Sequence, residues 1–183
     1  ATLRQPTPGN IRPELLGDAE QLVIVSTPWR RATTALVTMY QRVDGRWRRV
    51  TGPFSARIGR AGTRVVRSEG DGSTPAGSFP LIAAFGYSAT SGTRMPYTQI
   101  DEPGCASPNE DLYRIARGGP YRRALVMGYN TDPVVPGAGS AMFIHSHSYT
   151  PQRLTKATRG CVTLSSWALA ALWRRLDPAL RPR

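Results

Sequence analysis

The stretch Thr34 to Val43, the pair Asp44-Gly45 and the stretch Arg46 to Val50 predict a β-hairpin, and no other part of the chain constrains the fold as tightly. Asp-Gly readily takes the positive φ angles that a two-residue turn between strands demands. Around this hairpin the chain reads as mostly β. Gln21-Leu22-Val23-Ile24-Val25-Ser26 predicts a first strand, and Tyr121 to Tyr129 and Ala141 to His145 predict later ones. The unbroken apolar run of Ala141 to Ile144 argues that this last strand is buried on both faces. Gly59 to Thr63 reads as a loop. One helix is marked: Ser165 or Ser166 can cap it, Trp167, Leu169, Leu172, Trp173 and Leu176 fall on helical spacing, and Asp177-Pro178 stops it. That spacing predicts both tryptophans in the core.

A length of 183 residues fits one domain with a closed core. Residues 1–18 are polar and proline-bearing and read as an N-terminal leader or arm, with the folded domain expected over 19–183. No run approaches the ~18 consecutive apolar residues of a membrane span. The start, Ala1 to Pro6, lacks the apolar core of a signal peptide, so the chain is read as cytosolic or as a processed mature form. Charge is lopsided, with 24 basic residues against 12 acidic and a formal net of +12. Such a surface attracts polyanions. The arginines are scattered from Arg4 to Arg183 and do not alternate with stacking aromatics, so nucleic acid is not the expected partner. Anionic polymers of a bacterial envelope satisfy the same electrostatics.

The chain has two histidines and two cysteines, and His145, His147 and Cys161 crowd into one C-terminal stretch. Phe143-Ile144-His145 delivers an imidazole at the end of an apolar run, and Thr158-Arg159-Gly160-Cys161-Val162 follows after a short polar loop. A thiol of pKa ~8.5 is mostly protonated at neutral pH, and an adjacent imidazole can take its proton. His145 is the natural base, and the Ser146 backbone carbonyl can orient the other ring nitrogen. Gly160, lacking a β-carbon, lets a substrate carbonyl approach the backbone, so the N–H groups of Gly160 and Cys161 are candidate oxyanion donors, with Arg159 adding positive charge. Two other readings of the same residues stand beside this one. Cys105 and Cys161 can pair as a structural disulfide. Cys105, His145, His147 and Cys161 can bind zinc, although neither cysteine sits in a Cys-x-x-Cys pair. His147 alone reads as a surface or supporting residue.

These residues resemble the L,D-transpeptidases with the YkuD-type catalytic domain. Members carry a histidine ending a hydrophobic strand, then a loop, then Ser/Thr-His-Gly-Cys-hydrophobic. His145 after Met142-Phe143-Ile144 is similar to the first element, and Thr158, Gly160, Cys161 and Val162 to the second. Gly70-Asp71-Gly72-Ser73-Thr74-Pro75-Ala76-Gly77-Ser78-Phe79 resembles the family's Asp-Gly-x-Thr-Pro-x-Gly-x-Phe/Tyr signature. Pro96-Tyr97, Tyr129-Asn130 and Gly137 to Ala141 are similar to a secreted actinobacterial branch. The likeness runs from about Val23 to Leu176. Arg159 stands where the motif usually has histidine, and Thr163 where arginine or asparagine is common, departures that bear on donor recognition and acceptor choice.

The resemblance implies a mainly β fold with minor α, a β-sandwich with a C-terminal helix beside the active site. It implies a secreted, periplasmic or cell-wall enzyme acting on peptidoglycan stem peptides, with Cys161, His145 and Ser146 catalytic, and Gly160, Arg159, Thr158 and Thr163 at the oxyanion and substrate positions. The implied chemistry is a Cys161 thioester at stem residue three, loss of D-alanine, and transfer to an amine or to water. No metal or cofactor is implied, and carbapenem-type β-lactams are the implied inhibitors. A non-catalytic wall-binding domain is the alternative from another class. A wall-cutting cysteine endopeptidase generally places cysteine before histidine, the reverse of the order here.

Overall fold

The computed structural model describes residues 6–103, 106–107, 110–148 and 154–183. Its strands are β1 (Gln21–Ser26), β2 (Thr34–Val43), β3 (Arg46–Arg57), β4 (Thr63–Arg64), β5 (Thr74–Pro75), β6 (Leu81–Gly86), β7 (Tyr97–Gln99), β8 (Ala106–Ser107), β9 (Glu110–Asp111), β10 (Arg123–Met127), β11 (Phe143–Ser146) and β12 (Val162–Leu164). The helices are α1 (Pro13–Leu16), α2 (Leu112–Gly118) and α3 (Ser166–Trp173). Eight strands form one sheet in the order β1-β2-β3-β12-β11-β10-β6-β7, and this sheet is curled. The mainly β fold with a C-terminal helix is the one the resemblance implies. The expected sandwich takes the form of a half-barrel, one curled sheet, with two small two-stranded sheets beside it among the described residues. Register shifts at Met39 and at Val126/Met127 mark irregular pairing that bends strands and adds twist.

The hairpin forms where predicted. Val43 pairs with Arg46 across Asp44 (φ 51°) and Gly45 (φ 74°), the two left-handed residues of a tight turn. The returning strand runs past Val50 to Arg57, and its far end pairs with β12 through Ala56 and Arg57. The first strand lies over Gln21–Ser26 as read from its residues. The two later strands are shorter or shifted. Pro120 opens a 3-10 turn over Pro120–Arg122 that takes Tyr121 out of the sheet, so β10 begins at Arg123. Ala141 has φ 53°, which no strand accommodates, and β11 begins at Phe143.

The sheet has two differently packed faces. On one, Val37, Leu125, Ile144, Val162 and Leu164 meet Leu169, Leu172, Trp173 and Leu176 of the C-terminal segment. Burying each such side chain contributes about 1.5–3 kcal/mol. The Ser165 hydroxyl accepts from Ala168 N–H and caps α3, as its position suggests. Trp173 is 1 % exposed, and its indole N–H donates to the Ser91 carbonyl at 2.6 Å. Trp167 departs from expectation: it is 69 % exposed, in the first turn and ahead of the run Ala168 to Trp173 that is buried throughout, with its ring edge to face against Phe54. The other face carries a smaller cluster of Phe85, Ile100, Ala116, Tyr121, Ala124 and Phe143, with Cys161 against it.

Ahead of β1, Leu16 packs on the cluster of Ala19, Leu22 and Tyr40, and Arg181 Nε donates to the Asp18 carbonyl at 2.8 Å. The last residues run along the outer edge of β1. Val23 N–H donates to the Arg183 carbonyl at 2.6 Å, Arg183 N–H to that of Gln21 at 3.1 Å, and Leu81 N–H to that of Pro182 at 2.8 Å. No helix among the described residues is long and apolar enough to cross a membrane.

Candidate active site

β11 and β12 are parallel neighbours at the middle of the sheet, with Ile144 opposite Val162, His145 opposite Thr163 and Ser146 opposite Leu164. Strand alternation sends Ile144, Val162 and Leu164 toward α3. It sends His145, Thr163 and Cys161, which precedes Val162, to the opposite face. There His145, Thr163, Cys161, Arg159, Thr158 and Tyr121 line a single cleft of about 500 Å³. The loop between the strands thus returns the thiol to the side from which the imidazole departs. The body of α3 lies under this site, on the reverse of the sheet, and begins two residues after β12.

His145 is 6 % exposed. Its Nδ1 lies 2.8 Å from the Ser146 carbonyl. A carbonyl only accepts, so Nδ1 carries the proton and Nε2 presents its lone pair. Burial pushes the imidazole down from 6.5 to about 4, against the raising effect of the Ser146 carbonyl and with a further push from His147. The ring of Tyr121 meets that of His145 edge to face, with centroids 4.6 Å apart. The Ser146 hydroxyl turns elsewhere, 3.4 Å from that of Ser166. His147 is half-buried, with Nδ1 2.9 Å from Thr163 Oγ1. Burial lowers its pKa, and Arg57 lowers it further.

Cys161 is half-buried, with Sγ 3.6 Å from the Ala141 carbonyl. Cys105 lies outside the described residues, so a pairing or a zinc set that includes it does too. Thr158 staples the loop from within: its hydroxyl donates to the Cys161 carbonyl at 2.6 Å and accepts from Gly160 N–H at 3.0 Å. The N–H of Gly160, expected as an oxyanion donor, is thus engaged with the Thr158 oxygen. The reason for glycine also changes. Gly160 has φ 149°, and a β-carbon there would sit 2.8 Å from the Ser73 carbonyl and 3.0 Å from Met142 Cε. The space that glycine supplies is needed by the wall behind the loop. Thr163 is 1 % exposed at the base of the cleft, and Arg159 is exposed on its rim.

The second motif supplies that wall. The Thr74 hydroxyl donates to the Gly160 carbonyl at 2.7 Å and accepts from Gly59 N–H at 2.9 Å. Beside it, the Asp71 carboxylate accepts from Ser73 N–H at 2.8 Å, from the Ser73 hydroxyl at 2.7 Å and from Ser68 N–H at 3.2 Å, and pairs with buried Arg67 at 3.3 Å. Burial alone would raise this carboxyl. The Ser73 and Ser68 hydrogen bonds and the Arg67 charge outweigh it and hold the group down at about 2. Reading the residues in order missed Thr74 and Tyr121 as neighbours of the site. The Asp71 to Phe79 signature is the signal for Thr74; none exists for Tyr121, which reads as strand.

A buried imidazole and a thiol thus line one cleft of a curled, mainly β sheet, a combination that can serve nucleophilic acyl transfer. The family model of the L,D-transpeptidase catalytic domain, YkuD, matches residues 20–182, and the chain belongs to that enzyme family. No individual curated protein matches it.

Proposed function

We propose that the protein is a cysteine-dependent L,D-transpeptidase of the cell wall, with Cys161 as nucleophile and His145 as base and then acid. The observation that carries this reading is the shared cleft of His145 and Cys161, with the His145 tautomer set by the Ser146 carbonyl. With its pKa held down at about 4, the His145 imidazole rests neutral at neutral pH and is ready to take the proton of the thiol. Proton transfer then accompanies attack. Sγ bonds to the carbonyl carbon joining stem residue three to D-alanine, and its proton passes to His145 Nε2. The C–N bond breaks, and the same proton leaves on the amine of D-alanine. The thioester is resolved by the side-chain amine of a second stem, giving a 3→3 cross-link, or by water, giving L,D-carboxypeptidase activity.

The protein groups alone supply this chemistry. In this reading Arg159 and Thr163, which both line the cleft, contact the donor stem, while Thr158 shapes the nucleophile loop. The partners are peptidoglycan stem peptides, with anionic wall polymers attracted to the basic surface, and the place of action is the secreted, periplasmic or wall compartment. Incubation with a carbapenem followed by intact-mass measurement should show one adduct, absent from Cys161→Ala. A defined tetrapeptide should release D-alanine with wild type and, in Cys161→Ala, at least roughly 10⁴-fold more slowly. A protein that forms no adduct and releases no D-alanine is a wall-binding domain instead.

A further inference from the structure

Thr158 holds the peptide units on either side of the Gly160–Cys161 peptide, through Gly160 N–H and the Cys161 carbonyl. The unit between them is held from elsewhere, by Thr74, whose hydroxyl donates to the Gly160 carbonyl at 2.7 Å across 86 residues of chain. Thr74 is 4 % exposed and has little freedom to turn. Its oxygen accepts Gly59 N–H at 2.9 Å, and its own N–H donates to the Gly62 carbonyl at 2.8 Å. The loop that carries it presses close on both sides. A β-carbon on Gly59 would lie 2.4 Å from the Gly72 carbonyl, and one on Gly160 would lie 2.8 Å from that of Ser73. A trans peptide points its C=O and N–H in opposite directions. With the Gly160 carbonyl drawn to Thr74, the Cys161 N–H is turned the other way. Cys161 lines the cleft and Thr74 does not.

We propose that Thr74 is a positioning residue, whose hydroxyl sets the Gly160–Cys161 peptide plane so that the Cys161 N–H faces the oxygen of the attacked carbonyl. This rests on the acyl-transfer reading above and deepens it. The donor takes over the oxyanion role that Gly160 N–H, engaged by Thr158, does not fill. Asp71 and Ser73 brace the loop from behind, with Arg67 Nε 3.1 Å from the Ser73 hydroxyl.

The test separates acylation, which develops an oxyanion, from alkylation by iodoacetamide, which does not. Thr74→Val should slow Cys161 acylation by roughly ten- to hundredfold, through kcat and not KM, while alkylation stays within about twofold of wild type. Thr74→Ser, which keeps the hydroxyl, should restore acylation. Two acyl donors are used, the stem tetrapeptide and a nitrophenyl ester. If wild type takes the ester at Cys161 but not the tetrapeptide, the wall-substrate reading falls and the role of Thr74 is still read from the ester. Acylation by neither overturns both. Acylation of Thr74→Val at the wild-type rate, equal loss of acylation and alkylation, or failure of Thr74→Ser to rescue overturns the proposal. Should Thr74→Val fail to fold by circular dichroism, Ser73→Ala must show the same split at smaller amplitude, and equal losses there overturn it as well.

Discussion

The two faces of the β11–β12 pair differ in what burial does for them. Toward α3, Ile144, Val162 and Leu164 meet only apolar partners, and removing them from water is favourable throughout. On the other face, His145 is buried almost as deeply, yet its burial depresses a titratable group and leaves one hydrogen-bonded nitrogen and one lone pair. The apolar face fixes the backbone, and the polar face draws on that rigidity to hold groups in positions they would not keep in water. Stability and chemistry therefore reside on opposite sides of the same short strands.

Replacing Leu172, which is fully buried on the α3 side, is the largest test of this division. Leu172→Ala should cost about 2–5 kcal/mol in urea unfolding. The folded fraction should still alkylate at Cys161 at the wild-type rate. Slower alkylation in the folded protein would show that the two faces are not separable.

His145 tests the polar face by pH. Unfolded, the imidazole titrates near 6.5, and folded it titrates at about 4. Between those values the unfolded chain binds more protons. This contribution to stability is thus full above pH 6.5 and falls, by up to about 3 kcal/mol, as pH drops to 4. Urea midpoints measured across that window should decline in wild type and flatten in His145→Gln.

The smallest effect belongs to Asp71, behind the nucleophile loop. Its carboxyl titrates at about 2 against an ordinary 3.8, so its contribution is complete above pH 3.8 and is lost as pH falls toward 2. The loss is up to about 2 kcal/mol, and Asp71→Asn should remove this acid-sensitive component from the unfolding curve.

What the residues disclosed in advance was local. Asp44-Gly45 carries its turn in its own φ preferences, Gln21–Ser26 is a strand by composition, and the Ser165 cap sits one residue before its helix. The apolar run into His145 also marked one half of the site. Contacts between distant segments stayed hidden. The Thr74 to Gly160 hydrogen bond leaves no trace in either stretch alone, and neither does the parallel seat of β12 beside β11. Leu81–Gly86 was passed over although it forms an interior strand, and α2 was missed because only seven residues and an Asp111 cap announce it. Tyr121 reads as strand because it leads into the apolar run Ala124 to Met127, whereas Pro120 governs its backbone and its ring meets that of His145.

The pairing of Arg183 with Gln21 and Val23, and of Pro182 with Leu81, has a consequence for behaviour in concentrated solution. A bare edge strand is a template on which a second molecule can add its own backbone. Here residues 182–183 cover part of that template on β1. Trimming them would expose main-chain groups to intermolecular pairing, and the expected symptom is self-association at high protein concentration, with the chemistry of the distant cleft unaltered.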